Sequence, residues 1–130
     1  MPPRELPRPG PLRILLVEDH EDTCLALSYV LRHEGYAVEI AHSVAQALAA
    51  AIAVDVDMLV SDLGLPDGSG LDLMRMLKAR KPIQGIALTG YGRGEDVADT
   101  REAGFERHLT KPVDVDTLIA AIESLRAEPA

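Results

Sequence analysis

Beyond residue 11 the chain alternates five times between a short apolar run and a stretch of helical spacing. Leu12–Val17 is an apolar run that ends in Glu18 and Asp19. From Glu21 to about Glu34 the apolar residues Cys24, Leu27 and Leu31 recur every three to four positions, which predicts a helix stopped by Gly35. Tyr36–Ile40 reads as a second strand. Ser43 with Gln46 three residues on is a capping-box pattern, followed by a face of Val44, Leu48, Ala51 and Ile52. Val56–Ser61 is the third run and ends at Asp62. Ser69 and Asp72 repeat the capping pattern before Leu73, Met76 and Leu77, and Pro82 closes that helix. Ile83–Leu88 ends at Thr89. Glu95–Ala103 is a short helix with the weakest apolar stripe of the five, closed by Gly104, and such segments are the ones expected to move. Phe105–Thr110 ends at Lys111. Asp114 is placed to cap a last helix with Val115, Leu118, Ile122 and Leu125 on one face.

Strands that each lead into a helix imply a parallel sheet covered on both faces, because right-handed crossovers are close to obligatory. The near-continuous apolar runs Ile14–Val17 and Met58–Val60 fit interior strands of such a sheet. The expected fold is therefore α/β, a (βα)5 three-layer domain. Before it, Pro2, Pro3, Pro7, Pro9 and Pro11 with Gly10 predict an extended arm or linker over residues 1–11, because proline lacks the amide donor and has a fixed φ. The domain itself is expected over residues 12–127.

Composition narrows the function classes. With 130 residues the chain is one domain able to bury roughly two-thirds of its unfolded surface. Thirteen Lys and Arg against 21 Asp and Glu give a net charge of −8, which argues against nucleic acid or an anionic membrane as a direct partner. A single cysteine allows no internal disulfide, and Cys24 sits on an apolar stripe as an inert core residue. No apolar run approaches the roughly 20 residues that span a bilayer, and no secretory stretch opens the chain, so the expected location is the cytoplasm.

The chemistry collects where the strands end. In open α/β sheets ligands bind outside the carboxyl ends of the strands. There the fold would gather Glu18, Asp19, Asp62, Thr89 and Lys111 on one rim. Three crowded carboxylates raise one another's pKa unless a cation intervenes, and ligands of oxygen alone suit Mg²⁺. A hydroxyl and an ammonium beside such an ion suit a phosphoryl group. Asp55, Asp57, Asp67 and Asp72 read as turn, strand-entry and capping acids without chemistry, and His20, His33, His42 and His108 lack metal-ligand spacing. Asp19 is also placed to cap the first helix, and the Met74 and Met76 pair reads as core filling.

Four segments in order, ILLVEDH at 14–20, LVSDLGLPDGSGLDLM at 59–74, IALTG at 86–90 and HLTKP at 108–112, resemble the receiver domain of bacterial two-component response regulators. The resemblance covers residues 12–126 and implies a flavodoxin-like sheet of order 2-1-3-4-5. It implies that Asp62 is the phosphoacceptor, forming an acyl phosphate with a phosphoryl group from a histidine kinase or phosphotransfer protein. It implies Mg²⁺ held by Asp19 directly, by Glu18 through water, by Asp62 and by the backbone carbonyl of Gly64. Thr89 resembles the switch hydroxyl, and Lys111 the lysine that pairs with the phosphoryl group ahead of a cis bond to Pro112. His108 stands where the family has Tyr or Phe, which puts the usual aromatic coupling of the switch in question. Gly64 and Tyr91, two residues past Asp62 and Thr89, stand where side chains govern access of the hydrolytic water.

The reading is a switch that accepts a phosphoryl group and loses it slowly by itself, rather than an enzyme turning over an external substrate. Without an output module of its own, its output would be altered contact with a downstream protein, or phosphoryl relay. A free-standing receiver and the terminal receiver of a hybrid histidine kinase both fit, and the GIALTGYG and HLTKPVD phrasing resembles the latter. Three rivals remain. A phosphohydrolase of the haloacid dehalogenase type needs a second Asp where Gly64 stands. A flavodoxin-like carrier would find its phosphate repelled by Glu18-Asp19-His20. A receiver-like binding module without phosphorylation is opposed by the intact set of acids, Thr89 and Lys111.

Overall fold

The computed structural model describes residues 10–90 and 97–128. Its elements are β1 (Arg13–Val17), α1 (Glu21–His33), β2 (Ala37–Ala41), α2 (Val44–Ala53), β3 (Met58–Asp62), β4 (Gly64–Leu65), β5 (Gly68–Ser69), α3 (Gly70–Lys78), β6 (Gln84–Thr89), α4 (Val97–Ala103), β7 (Arg107–Thr110) and α5 (Val115–Arg126). The five long strands form one sheet in the order β2-β1-β3-β6-β7, every neighbouring pair parallel. This is the expected 2-1-3-4-5 order, with a small antiparallel hairpin, β4–β5, added between β3 and α3. Residues 1–9 of the Pro-rich arm lie outside the described residues, as do Tyr91 and the first turn expected from Glu95.

Successive side chains of a strand point to opposite faces, so the runs that carry no alternation in sequence split between two cores. Leu15, Val17 and Leu59 pack with Leu73, Met74 and Phe105 on one face. Ile14, Leu16, Met58 and Val60 pack with Cys24, Leu31, Leu118 and Ile122 on the other. Burial pushes the Cys24 thiol up to about 11, so it is an un-ionised core residue. Among the described side chains of α4, Thr100 and Ala103 are buried.

Several local expectations shift. Ile52 is 68% exposed and Met76 39% exposed, not parts of the core. At about 100° per residue, each lies on the order of 100° round its helix from the centre of the buried face, which is Val44 and Ala47 in α2 and Leu73, Met74 and Leu77 in α3. The cap of α1 is His20, whose Nδ1 accepts from the Thr23 N–H at 3.2 Å, so Asp19 does not serve there. Ser43 accepts from the Gln46 N–H at 3.1 Å, but Gln46 returns its Oε1 to His42 N–H at 2.8 Å, one residue earlier than a capping box places it. Ser69 caps α3 at Leu71, while Asp72 turns outward to Arg75 at 3.0 Å. Asp114 caps α5 as expected, accepting from Thr117 N–H at 2.9 Å.

Candidate functional site

Four of the predicted residues stand at the carboxyl ends of strands in the main sheet. Glu18 follows β1, Asp62 closes β3, Thr89 closes β6, and Lys111 follows β7. Backbone bonds hold these ends in register: Glu18 N–H donates to the Ala41 carbonyl at 3.1 Å, and Lys111 N–H to the Thr89 carbonyl at 2.8 Å. The Lys111–Pro112 bond is cis.

The side chains meet. The Lys111 ammonium donates to Glu18 Oε1 and to Asp62 Oδ2, each at 2.8 Å, across 93 and 49 residues of sequence. Glu18 is 1% exposed and Asp62 9%, whereas Asp19 is exposed at the rim. Glu18 Oε2 also accepts from the His20 N–H at 3.1 Å. Burial pushes the Glu18 carboxyl up, against the pull of Lys111 and the His20 amide and with help from the charge on Asp62. Burial also works against the Lys111 ammonium, but its hydrogen bonds to Asp62 and Glu18 outweigh that and raise it. The pocket is thus short of positive charge.

Glu18, Asp19 and Asp62 each offer a carboxylate oxygen, and these oxygens lie within 4.8 Å of one another. Three carboxylates face one ammonium, which leaves two negative charges, the charge a divalent cation balances. The donors are all oxygen, one pair is already drawn onto a cation, and one carboxylate is open to water. That set fits Mg²⁺, which keeps several waters and takes one or two carboxylates.

Two predicted residues are less engaged. Thr89 is buried, but its hydroxyl donates to the Leu109 carbonyl at 3.4 Å rather than to the acids. His108 pairs across from Ala87 on β7 and, with Thr100, Arg101 and Phe105, lines a groove of about 220 Å³ between α4 and β7. Gly64 lies in β4 with its N–H directed to Asp62 Oδ1 at 3.4 Å. Asp55 pairs with Lys81 and Asp57 accepts from the Arg13 N–H at 2.8 Å, strand-entry roles as expected.

Sequence reasoning passed over three residues around this pocket. His42 donates from Nδ1 to the Glu18 carbonyl at 2.8 Å. Asp67, taken as a turn acid, reaches the start of α2. Gly70 packs so tightly that a Cβ there would lie 2.3 Å from the Asp62 carbonyl and 3.1 Å from Leu63 Cα. Both obstacles are backbone and cannot swing aside, so Gly70→Ala should push α3 off the Asp62 strand end. The expected cost is about 1–3 kcal/mol in spite of alanine's better helix propensity. Thermal melting checks this, and a variant at least as stable as the parent would contradict the close approach.

Residues 14–123 match the family model described as the response regulator receiver domain. The acid tolerance regulatory protein ActR of Rhizobium meliloti (strain 1021) is 37% identical over 115 residues, which cover 87% of this chain and 59% of ActR. The chain therefore spans about three-fifths of the length of that relative. An uncharacterised 14.6 kDa protein of Leptolyngbya boryana is 36% identical over 113 residues, 85% of this chain and 86% of its own. The crystal structure of a CheY-like receiver domain protein from Methanospirillum hungatei JF-1 superposes with a TM-score of 0.85 at 30% identity, over 92% of this chain and 96% of the other.

Proposed function

The chain belongs to the response regulator receiver domain family, and we propose that residues 12–127 act as a switch phosphorylated on Asp62. The donor is a phosphohistidine of a histidine kinase or phosphotransfer protein. A carboxylate oxygen of Asp62 attacks phosphorus, the P–N bond breaks, and its electron pair stays on the donor imidazole, leaving an acyl phosphate. Lys111, already bonded to Asp62, stays paired with the incoming phosphoryl oxygens. Asp19, Glu18, Asp62 and the Gly64 carbonyl would hold Mg²⁺, whose charge offsets that of the phosphoryl oxygens.

The contact that carries this reading is the shared 2.8 Å pairing of Lys111 with Glu18 and Asp62 beside the exposed Asp19. Thr89 supports the switching step, because among the described residues its hydroxyl has a long bond to Leu109, which it leaves at little cost for a phosphoryl oxygen. Moving Thr89 draws on the end of β6 and, through it, on α4, and so changes the face made by α4, β7 and α5. A downstream protein reads that face, with His108 lining its groove. The donor chemistry places the domain in the cytoplasm, where no membrane contact of its own is needed; among the described residues no helix is long and apolar enough to cross a membrane.

Intact mass after incubation with acetyl phosphate tests the proposal. With Mg²⁺ the chain gains one phosphoryl group, and with a chelator it gains none. Asp19→Ala needs a Mg²⁺ concentration roughly tenfold higher for the same uptake. Uptake that ignores both Mg²⁺ and Asp19 would sink the reading.

A further inference from the structure

The pocket is held by contacts that reach past its own side chains. Asp67 sits in the turn between β4 and β5, five residues after Asp62. Its Oδ1 accepts from the Val44 N–H at 2.7 Å and its Oδ2 from the Ala45 N–H at 3.0 Å. Those are the first two amides of α2, donors that no intrahelical partner can satisfy. The third, Gln46 N–H, goes to Ser43 Oγ at 3.1 Å. Two residues thus cap one helix end, but only Asp67 belongs to the hairpin that follows Asp62.

That hairpin is short, pairing Gly64 with Ser69 and Leu65 with Gly68. It lies close on α2: a Cβ at Gly68 would sit 3.3 Å from the Val44 side chain. At one end Gly64 N–H points to Asp62 Oδ1. At the other side of the helix start, His42 gives its own N–H to Gln46 and its Nδ1 proton to the Glu18 carbonyl. A circuit therefore runs from Asp62 through Gly64, the hairpin, Asp67 and the start of α2 to His42 and Glu18. It joins the ends of β3, β2 and β1, the strands that present the acidic residues.

We infer that Asp67 is a positioning residue for the acidic site, clamping the β4–β5 hairpin to α2 so that Gly64 and Asp62 keep a fixed spacing from Glu18 and Asp19. The two backbone bonds from Val44 and Ala45 hold the Asp67 carboxyl below the usual carboxylate range, so the clamp is ionised at neutral pH. Asp67 is not one of the residues proposed to hold Mg²⁺ or the phosphoryl group, and acts through Gly64 and Asp62. Groups that orient a metal site in this way commonly change affinity by about 10–100-fold when removed. The inference rests on the reading of Glu18, Asp19 and Asp62 as a Mg²⁺ site.

Calorimetric Mg²⁺ titration of the full chain, with thermal melting alongside, separates the clamp from an ordinary helix cap. Asp67→Ala should weaken Mg²⁺ binding about tenfold, at the lower end of the effects seen when supporting groups are removed. Ser43→Ala, which uncaps the same helix without touching the hairpin, should lower the melting temperature by a similar amount and leave Mg²⁺ affinity within about twofold of the parent. Asp67→Asn keeps one carbonyl acceptor and should fall between. In Asp67→Ala, uptake from acetyl phosphate should recover at high Mg²⁺. Equal losses of Mg²⁺ affinity in Ser43→Ala and Asp67→Ala, or no loss in Asp67→Ala, would overturn the clamp while leaving the site intact. A parent chain that binds no Mg²⁺ overturns the site reading and the clamp together; one that binds Mg²⁺ without taking up phosphoryl removes only the phosphoacceptor.

Discussion

Given acetyl phosphate and Mg²⁺, Asp62→Asn takes up no phosphoryl group under conditions in which the parent chain gains one. The effect is all or none because an amide oxygen carries no charge with which to attack phosphorus, and among the described residues neither neighbouring acid is placed as Asp62 is. Glu18 is 1% exposed, with its oxygens occupied by the Lys111 ammonium and the His20 N–H. Asp19 is exposed at the rim, and the Lys111 ammonium is spent on Glu18 and Asp62 instead. The variant should stay folded, since the side-chain carbonyl of the new amide can still accept from Lys111 and Glu18 keeps its partner; an unchanged melting curve within about 1 kcal/mol is the companion measurement. Labelling of Asp62→Asn at the parent level would move the acceptor to another residue, with Asp19 the first to test.

The five residues of the rim were legible in the sequence for one reason. Each follows an apolar run, and a parallel sheet brings the ends of such runs to the same edge. Glu18, Asp62 and Lys111 needed no more than that to be placed together. What stayed hidden depends on contacts between elements whose separation along the chain follows no period. Asp67 read as a turn acid, and it stands in the turn of the β4–β5 hairpin. Its second partner, the start of α2, lies 22 and 23 residues away and leaves no local trace. The same holds for His42 against Glu18, 24 residues apart. Gly70 looked like one glycine among several; only the approach of α3 to the Asp62 carbonyl makes its missing side chain necessary. Ile52 and Met76 were misplaced because apolar character alone was allowed to widen a stripe that the buried positions keep narrow.

Removing the ammonium should reveal how the pocket is balanced. In Lys111→Ala the buried Glu18 and Asp62 carboxylates lose their shared cation, and Glu18 has little water to turn to. Breaking a buried pair from one side costs about 3–5 kcal/mol, and the lower end applies because the Lys111 side chain is 28% exposed. For a domain of this size that corresponds to a fall in melting temperature on the order of 10 °C without Mg²⁺. Adding Mg²⁺ should recover much of the loss, so the ion stabilises the variant more than it stabilises the parent. The phosphoryl test then separates two roles of one residue. Asp62 still carries the attacking oxygen, so Lys111→Ala should still bind Mg²⁺ and accept a phosphoryl group, more slowly. The amide signals of α4, β7 and α5 should no longer shift on uptake, because the ammonium that would tie the β7 end to the phosphoryl oxygens is gone. A variant that melts like the parent without Mg²⁺ would show that the acids do not depend on Lys111. A variant that still shifts those signals on phosphorylation would take the switch away from it.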